Sequence, residues 1–261
     1  MFRSLHIAAT GMAAQETNLD AISNNIANGS TAGYKKQRAD FQDLLYQTIR
    51  ASGTQTSATA TTPNGLQVGN GVRVVGMSRS FAQGSTLVTN NPLDVAIEGN
   101  GFFVVQQADG TPAYTRAGNF QTNAQGQIVT AEGYPLDPAI TIPPDATSVT
   151  IGADGTVSVT NGTQTAPTQV GQITTASFVN PAGLTSLGHN LYKESAASGN
   201  PQVGVAGTES RGSLLQGSIE NSNVDVVEEM VGLISAQRGY EINSKVISAA
   251  DEMLQAATQL R

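Results

Sequence analysis

The sequence predicts a mixed α and β fold, in which N- and C-terminal coiled-coil helices bracket an inserted antiparallel all-β domain, with an extended arm. Apolar residues recur at helical spacing near both ends of the 261-residue chain, and the middle has short alternating runs separated by turn dipeptides. We therefore expect three parts: a terminal helical domain over 1–35 plus 220–261, a connecting segment and extended arm over 36–80, and a β domain over 81–219.

The N-terminal helix is predicted from an a/d pattern in which Gln15 is the only polar member. The members are alternately three and four residues apart, which places them on one side of a helix. Asn28-Gly29 follows the pattern and predicts a left-handed helix stop. The pattern comprises Leu5, Ala8, Met12, Gln15, Leu19, Ile22 and Ile26.

The connecting segment is predicted in two pieces. Apolar residues after Asp40 (Phe41, Leu44, Leu45 and Ile49) predict a short helix. The stretch Ala51 to Val72 contains no charged residue and little core material, so its composition predicts a linker or an extended arm.

The β domain is predicted from turn dipeptides that interrupt β-branched runs. Asp109-Gly110 and Asp154-Gly155 each lie between two such runs, which is a strong hairpin signal. The stretch 123–136 suggests a further pair of strands. These signals predict an antiparallel arrangement, because tight turns join neighbouring strands of opposite direction.

The C-terminal helix is predicted from a seven-residue recurrence that reaches the end of the chain. The stretch 221–223 offers N-cap oxygens, and the acidic residues that follow suit the positive end of a helix. Gly232 and Gly239 lie inside it and weaken it by on the order of 1 kcal/mol each relative to alanine, so packing must stabilise it. The recurring residues are Val226, Leu233, Tyr240, Ile247 and Leu254.

Composition excludes several classes of function. The net charge of −7 and the absence of Lys/Arg clusters argue against nucleic acid or an anionic membrane as a partner. Cysteine is absent, so thiolate chemistry is excluded, and no apolar run reaches the roughly 18 residues of a membrane span. The first residues make a poor secretory signal peptide, so we expect any export to use another route.

No catalytic or cofactor-binding constellation is predicted. The two histidines, His6 and His189, have no neighbouring residues at metal-ligand or triad spacing. Asp94 and Glu98 could be imagined as a glycosidase pair, but carboxylates four residues apart are commonplace. The distinctive feature is the pair of terminal seams, which could pair within one chain or between identical chains, because periodicity does not distinguish these arrangements.

Three separated motifs carry a family resemblance. "ISNNIANGSTAGYKKQRADFQ" and "SNVDVVEEMVGLISAQRGYEINSKVISAADEMLQ" resemble the N- and C-terminal signatures of bacterial flagellar rod and hook proteins. "NPLDVAIEGNGFFVV" is similar to the core β motif of that family. The stretch "DFQDLLYQTIR" and the uncharged residues after it are most similar to the corresponding insertion in distal rod subunits.

This resemblance implies a structural, non-enzymatic subunit without a cofactor, which self-assembles into the rigid helical tube of the distal rod and transmits motor torque to the hook. It implies a basal-body rod crossing the periplasm to the outer membrane, with subunits exported by the flagellar type III apparatus without a cleaved signal peptide. Implied partners are identical chains, proximal rod, hook-side junction and L- and P-ring proteins. A proximal rod or hook subunit, and a secreted glycan-binding β module, remain alternatives.

The resemblance also implies which residues form the assembly interface. These are seam residues of both terminal helices, together with Asn25 and Asn243. The amides of Asn24, Asn25 and Asn28 could bond neighbouring helices or the turn and fix register, or they could be solvated side chains at a helix end. The implied interface comprises Leu5, Met12, Leu19, Ile22, Asn25, Ile26, Val226, Leu233, Tyr240, Asn243, Ile247 and Leu254.

Overall fold

A computed structural model of the chain describes residues 2–53, 55–57, 60–61, 63–162 and 166–259. These residues form two compact units. The helical unit contains the chain up to Ala27, Gln37–Ser78 and the chain from Asp225 onward, and the β unit contains Asn28–Lys36 and Arg79–Val224. The predicted mixed α and β class is confirmed, with one long helix towards each end and antiparallel strands between them. The three-part division of the chain stays a prediction.

The helical unit contains both long helices, α1 (Phe2–Ala27) and α2 (Val226–Gln259). α1 ends next to the predicted stop, but the left-handed glycine of the following turn is Gly33, with φ of 69°, and not Gly29. The predicted N-cap of α2 was also wrong. Asp225 caps the helix, because its Oδ1 accepts hydrogen bonds from the backbone N–H groups of Val227 (2.9 Å) and Glu228 (3.2 Å).

In the described residues six strands complete the helical unit, and the end of the first strand, the following loop and the second strand replace the predicted short helix. β1 pairs with β6, and the Leu44 N–H donates to the Gly71 carbonyl at 2.9 Å. The prediction failed because these partners lie far along the chain, where local sequence periodicity carries no information about them. The strands are β1 (Gln37–Asp43), β2 (Gln47–Arg50), β3 (Gln55–Ser57), β4 (Ala60–Thr61), β5 (Leu66–Val68) and β6 (Val72–Arg79), whose last residue is counted with the β unit.

The stretch predicted as a linker or extended arm is a two-part antiparallel hairpin. β2 pairs with β5, and further out β3 pairs with β4. Residues 54, 58, 59 and 62 of this stretch lie outside the described part of the chain. We call residues 47–68 the arm. Its paired strands make it stiffer than a flexible linker of the same composition.

The β unit contains fifteen strands and one 3-10 helix, Pro181–Gly183. Its strands are β7 (Thr86–Val88), β8 (Val95–Glu98), β9 (Phe102–Gln106), β10 (Pro112–Thr115), β11 (Gln121–Thr122), β12 (Ile128–Val129), β13 (Ala146–Ile151), β14 (Thr156–Asn161), β15 (Thr168–Gln172), β16 (Thr174–Ser177), β17 (Thr185–Gly188), β18 (Leu191–Lys193), β19 (Gln202–Val205), β20 (Ser213–Gln216) and β21 (Ser218–Glu220).

The main sheet of the β unit has six antiparallel strands in the order β17-β18-β10-β9-β16-β19. The hairpins predicted around Asp109-Gly110 and Asp154-Gly155 are confirmed as β9–β10 and β13–β14. Smaller antiparallel pairs join β11 to β12, β8 to β20 and β7 to β21, while β15 extends the β13–β14 hairpin.

Two clusters of buried side chains form the core of the β unit, and β9 contributes side chains to both. Its side chains alternate between the faces of the sheet, so Phe103 and Val105 enter one cluster while Phe102 and Val104 enter the other. The second cluster is aromatic: Phe102 meets Phe178 edge to face, with ring centroids 5.7 Å apart. This alternation explains why β9 reads as a continuous apolar run, as expected for a strand buried on both faces.

Candidate assembly interface

The two long helices pack against each other within one chain and run in opposite directions. A Cβ placed on Gly11 would lie 3.0 Å from Asn243 Nδ2, and one on Gly232 would lie 3.5 Å from Ile22 Cδ1. Contacts on α2 therefore move towards its N-terminus as those on α1 move towards its C-terminus. Gly11 and Gly232 lie on this contact face, and the missing side chains allow the helix axes to approach closely. Within the single chain the two helices therefore pack against each other, whereas pairing of the predicted seams between identical chains stays a prediction.

Asn25 closes one end of this helix pair with three hydrogen bonds. Its side chain is 1% exposed. Its Nδ2 donates to the Gln37 carbonyl (2.8 Å) and to Glu229 Oε2 (3.1 Å), and its Oδ1 accepts from the Gln37 N–H (2.9 Å). One amide thereby joins α1, the start of β1 and the first turns of α2, so Asn25 fixes their relative register.

The twelve residues of the implied interface fall into three groups by exposure. Ile22 and Asn25 are buried, whereas Val226 and Tyr240 are exposed at 42% and 43%. Their part in contacts between subunits stays a prediction. The half-buried members are Leu5, Met12, Leu19, Ile26, Leu233, Asn243, Ile247 and Leu254.

Sequence reasoning missed a second apolar face on α2. Several large apolar side chains of α2 are exposed in the single chain, among them Val227 at 71% and Val231 at 64%. The signal was present in the sequence, since the first four members recur at i, i+3, i+4 and i+7. We call this face the outer stripe. Its members are Val227, Met230, Val231, Ile234, Ile242, Val246 and Met253.

A buried ion cluster in the β unit was also missed. The Lys35 ammonium lies 2.6 Å from one oxygen of Glu220, and the Arg116 guanidinium lies 3.1 Å from the other. The side chains of Lys35 and Glu220 are 0% exposed. Burial lowers the pKa of Lys35, while the hydrogen bond and the charge of Glu220 act against that shift. Burial likewise lowers the pKa of Arg116, opposed by Glu220.

The glycine of the Thr-x-Gly-Tyr-Lys motif brings Lys35 to this cluster. Gly33 has φ of 69°, and a Cβ there would lie 2.6 Å from the Ala117 nitrogen. Only glycine combines this backbone conformation with so close an approach. The Gly33 N–H donates to the Glu220 carbonyl at 2.8 Å, so the motif and strand β21 are joined by main chain as well as by charge.

The residues first considered for catalysis have ordinary structural surroundings. Asp94 accepts hydrogen bonds from Thr89 (2.6 Å) and Asn91 (3.0 Å) within a turn. Among the described residues, no cluster of His, Asp or Glu has the arrangement of a metal site. Within the same residues, neither helix is long and apolar enough to cross a membrane.

A helix pair built from the two ends of a chain, with a β unit inserted between them and an apolar helix face left exposed, is the architecture of a structural subunit. Three family models match this chain. "Flagella basal body rod protein" matches residues 5–35, "Flagellar hook protein FlgE/F/G D1 domain" matches 96–159, and "Flagellar basal body rod FlgEFG protein C-terminal" matches 215–260.

Similarity to curated relatives extends over the whole chain. It is 52% identical over 260 residues to the flagellar basal-body rod protein FlgG of Buchnera aphidicola subsp. Schizaphis graminum, covering 100% of both chains. In Bacillus subtilis, it is 42% identical over 269 residues to FlgG and 32% identical over 275 residues to the flagellar hook-basal body complex protein FlhP, again covering 100% of each chain. The chain belongs to the family of flagellar basal-body rod proteins. The prediction of a structural protein that is not an enzyme is thereby confirmed.

Proposed function

We propose that this chain is a structural subunit of the flagellar distal rod, which polymerises into a helical tube and transmits torque to the hook. The observation that carries the proposal is the outer stripe of α2. Seven large apolar side chains are 42–71% exposed there, which is an unfavourable surface for a protein that remains a monomer. Full burial of each would contribute about 1.5–3 kcal/mol, so subunit contacts have a large driving force available.

The geometry of the helix pair supports an open polymer. One face of α1 is already packed against one face of α2 within the chain. Contacts with further chains must therefore use other faces of the two helices. Contacts between two different faces are heterologous, and their repetition gives a helical filament whenever the rotation does not close into a ring. The implied interface residues that are exposed in the single chain, Val226 and Tyr240, are available for such contacts.

The arm is proposed to brace neighbouring subunits. Its strands are paired, and apolar side chains at its base remain exposed, including Tyr46 at 56% and Ile49 at 57%. Leu45, which precedes Tyr46 in the sequence, is 89% exposed. A stiff hairpin with an apolar base suits a lateral contact that resists bending, whereas a tether would need neither feature. Shortening the arm should leave subunits that assemble but form bent or fragile rods, and straight rigid rods in that variant would refute the brace.

The proposed partners and location follow from family membership. We propose that the subunit lies in the basal-body rod between the proximal rod and the hook-side junction, crosses the periplasm towards the outer membrane, passes through the L and P rings and is delivered by the flagellar export apparatus. The relatives named as basal-body rod proteins, which match over the whole chain, support a place in the rod.

The proposal is tested by replacing two members of the outer stripe. In cells that lack the native subunit, Val231→Asp with Ile234→Asp should abolish complete rods, whereas Ser244→Asp, an exposed control outside the stripe, should assemble normally. Complete rods in the stripe variant would refute the outer stripe as the assembly surface. A glycan-binding module predicts the opposite pattern: saturable ligand binding by the soluble chain, and no effect of these replacements on rods.

A further inference from the structure

The outer stripe of α2 is interrupted by two basic residues without a partner in the chain. Arg238 lies between Ile234 and Ile242, and Lys245 lies beside Val246. Both are exposed, and within the described residues neither forms an ion pair, not even Lys245 with Glu241 four residues earlier. Glu241 is also exposed on this side, so the stripe carries charges of both signs. Its two basic side chains favour a partner that places acidic groups opposite them, between small or apolar residues.

The exposed side of α1 has the complementary composition. Glu16 and Asp20 lie on this side, one turn apart, and neither has an ion-pair partner in the described part of the chain. Ala9 and Ala13 continue the same exposed side towards the N-terminus. Their small side chains leave room for large apolar residues of a neighbouring helix to approach closely.

We propose that the outer stripe of α2 in one subunit binds this exposed side of α1 in a second copy of the chain, with Arg238 against Asp20 and Lys245 against Glu16. The inference rests on the proposed polymer and names the surfaces that meet in it. The contact would give each of these four charged side chains a partner of opposite charge, which none of them has within the described residues of the single chain.

The spacing of the charges sets the direction of this contact. Subunits that repeat side by side around one axis share their orientation, so α1 of the second copy runs opposite to α2 of the first. Arg238 and Lys245 are about 10 Å apart along their helix, and Glu16 and Asp20 about 6 Å. The flexible stems of arginine and lysine span the difference. In this register Ala13 faces Val246, a small residue against a large one.

The contact between subunits is heterologous, which distinguishes it from the helix pair within one chain. The inner face of α1 meets α2 of the same chain, as at Gly11 and Asn243, whereas its outer side meets α2 of the next chain. Each helix is then covered on two sides. Repetition of the second contact adds subunits without a limit, as a tube requires.

Charge reversal tests the contact in cells that lack the native subunit. Arg238→Glu with Lys245→Glu should reduce complete rods on the order of tenfold, since two attractions become repulsions. Glu16→Lys with Asp20→Lys should do the same. All four replacements in one chain should restore rods, because the charges are again opposite. Circular dichroism of each purified variant establishes that it folds.

Disulfide trapping provides a second measurement, because the chain contains no cysteine. Cells that express Asp20→Cys in one copy and Arg238→Cys in another should yield a covalent dimer on oxidation of isolated rods, whereas Asp20→Cys with Ser244→Cys should not. Two results would overturn the inference: reversals without effect on rods, or a folded four-residue variant that remains defective. If either occurs while Val231→Asp with Ile234→Asp still abolishes rods, the proposed function stands and another surface covers the stripe.

Discussion

Glu220→Gln should destabilise the β unit more than its nearly unchanged volume suggests. Glu220 supplies the only carboxylate that bonds the ammonium of Lys35 and the guanidinium of Arg116 in the described part of the chain. Its Oε1 also accepts the Gly84 N–H at 2.8 Å. The amide retains the shape but removes the negative charge, which leaves two buried cations facing each other.

The magnitude follows from burial. The side chains of Glu220 and Lys35 are 0% exposed and that of Arg116 is 3% exposed, so water cannot replace the lost charge. Removing one partner of such a buried group costs about 3–5 kcal/mol. Lys35 can release its proton to relieve part of this cost, because burial already lowers its pKa. We therefore expect a loss of about 3 kcal/mol near neutral pH.

The loss should shrink as the pH is raised. Without Glu220, the hydrogen bond and the charge that oppose the effect of desolvation on the pKa of Lys35 in the folded state are lost. The unfolded chain then binds more protons than the folded one in the range below the usual lysine pKa, so stability rises with pH there. Urea unfolding followed by circular dichroism at several pH values from 7 to 10 measures both the loss and its pH dependence.

Two further variants separate the ion cluster from a general sensitivity to charge. Lys35→Met leaves Glu220 paired with Arg116 and should destabilise far less than Glu220→Gln. Asp40→Asn removes a carboxylate from an exposed ion pair and should leave unfolding nearly unchanged. Equal losses in Glu220→Gln and Asp40→Asn, or a loss in Glu220→Gln that grows with pH, would refute the reasoning.

Three other changes give distinct results. Asn25→Leu should lower the stability of the helical unit by about 2–4 kcal/mol and impair rod assembly, because the buried groups that bond Asn25 lose their hydrogen bonds. The β unit should keep its native protection from proteolysis, and the exposed control Ser23→Leu should have little effect. Normal rods in Asn25→Leu would contradict this prediction. Gly33→Ala should lower the free energy of unfolding in urea by about 3 kcal/mol or more, since its Cβ would lie 2.6 Å from a backbone atom. The control Gly110→Ala also has a positive φ, 80°, but no atom within 4 Å of its Cβ, so it should lower that free energy by only about 1 kcal/mol. Equal losses in the two variants would contradict the close approach at Gly33. Burial, together with the charges of Glu194 and Asp137, raises the pKa of Tyr114 to about 12. The tyrosine therefore ionises first in the unfolded chain, and the free energy of unfolding of the wild type relative to Tyr114→Phe should fall between pH 10 and 12. A difference between the two proteins that does not change with pH would contradict this prediction.

The parts of the fold that sequence predicted are those encoded over short distances. The apolar patterns of α1 and α2 recur every three to seven residues within each helix. The turn dipeptide Asp109-Gly110 specifies the β9–β10 hairpin through two neighbouring residues. The apolar residues after Asp40 were predicted to form a short helix, but they lie at the end of β1, in the following loop and in β2. The strands that pair with β1 and β2 are β6 and β5, which local periodicity does not reveal. Paired strands in the arm were missed for the same reason.

The sequence patterns singled out only one of the two apolar faces of α2. The seven-residue recurrence identified seam residues such as Leu233 and Ile247, but a second stripe with near-helical spacing was present in the same helix. The ion cluster was beyond local reasoning altogether, since Lys35 and Glu220 are 185 residues apart in sequence. Asn25 was predicted to fix the register of neighbouring helices, and the structure shows hydrogen bonds from its side chain to Gln37 and Glu229 of the same chain. Its part in contacts between subunits stays a prediction.

The position of this chain in the basal body tests the central claim most directly. Basal bodies would be isolated from cells that carry a small epitope at the Asp109-Gly110 turn, and the epitope located by labelled electron microscopy. The account predicts label confined to the straight shaft between the ring region and the hook. Label on the curved hook would assign the chain to a hook subunit, and intact basal bodies without label would contradict the rod account.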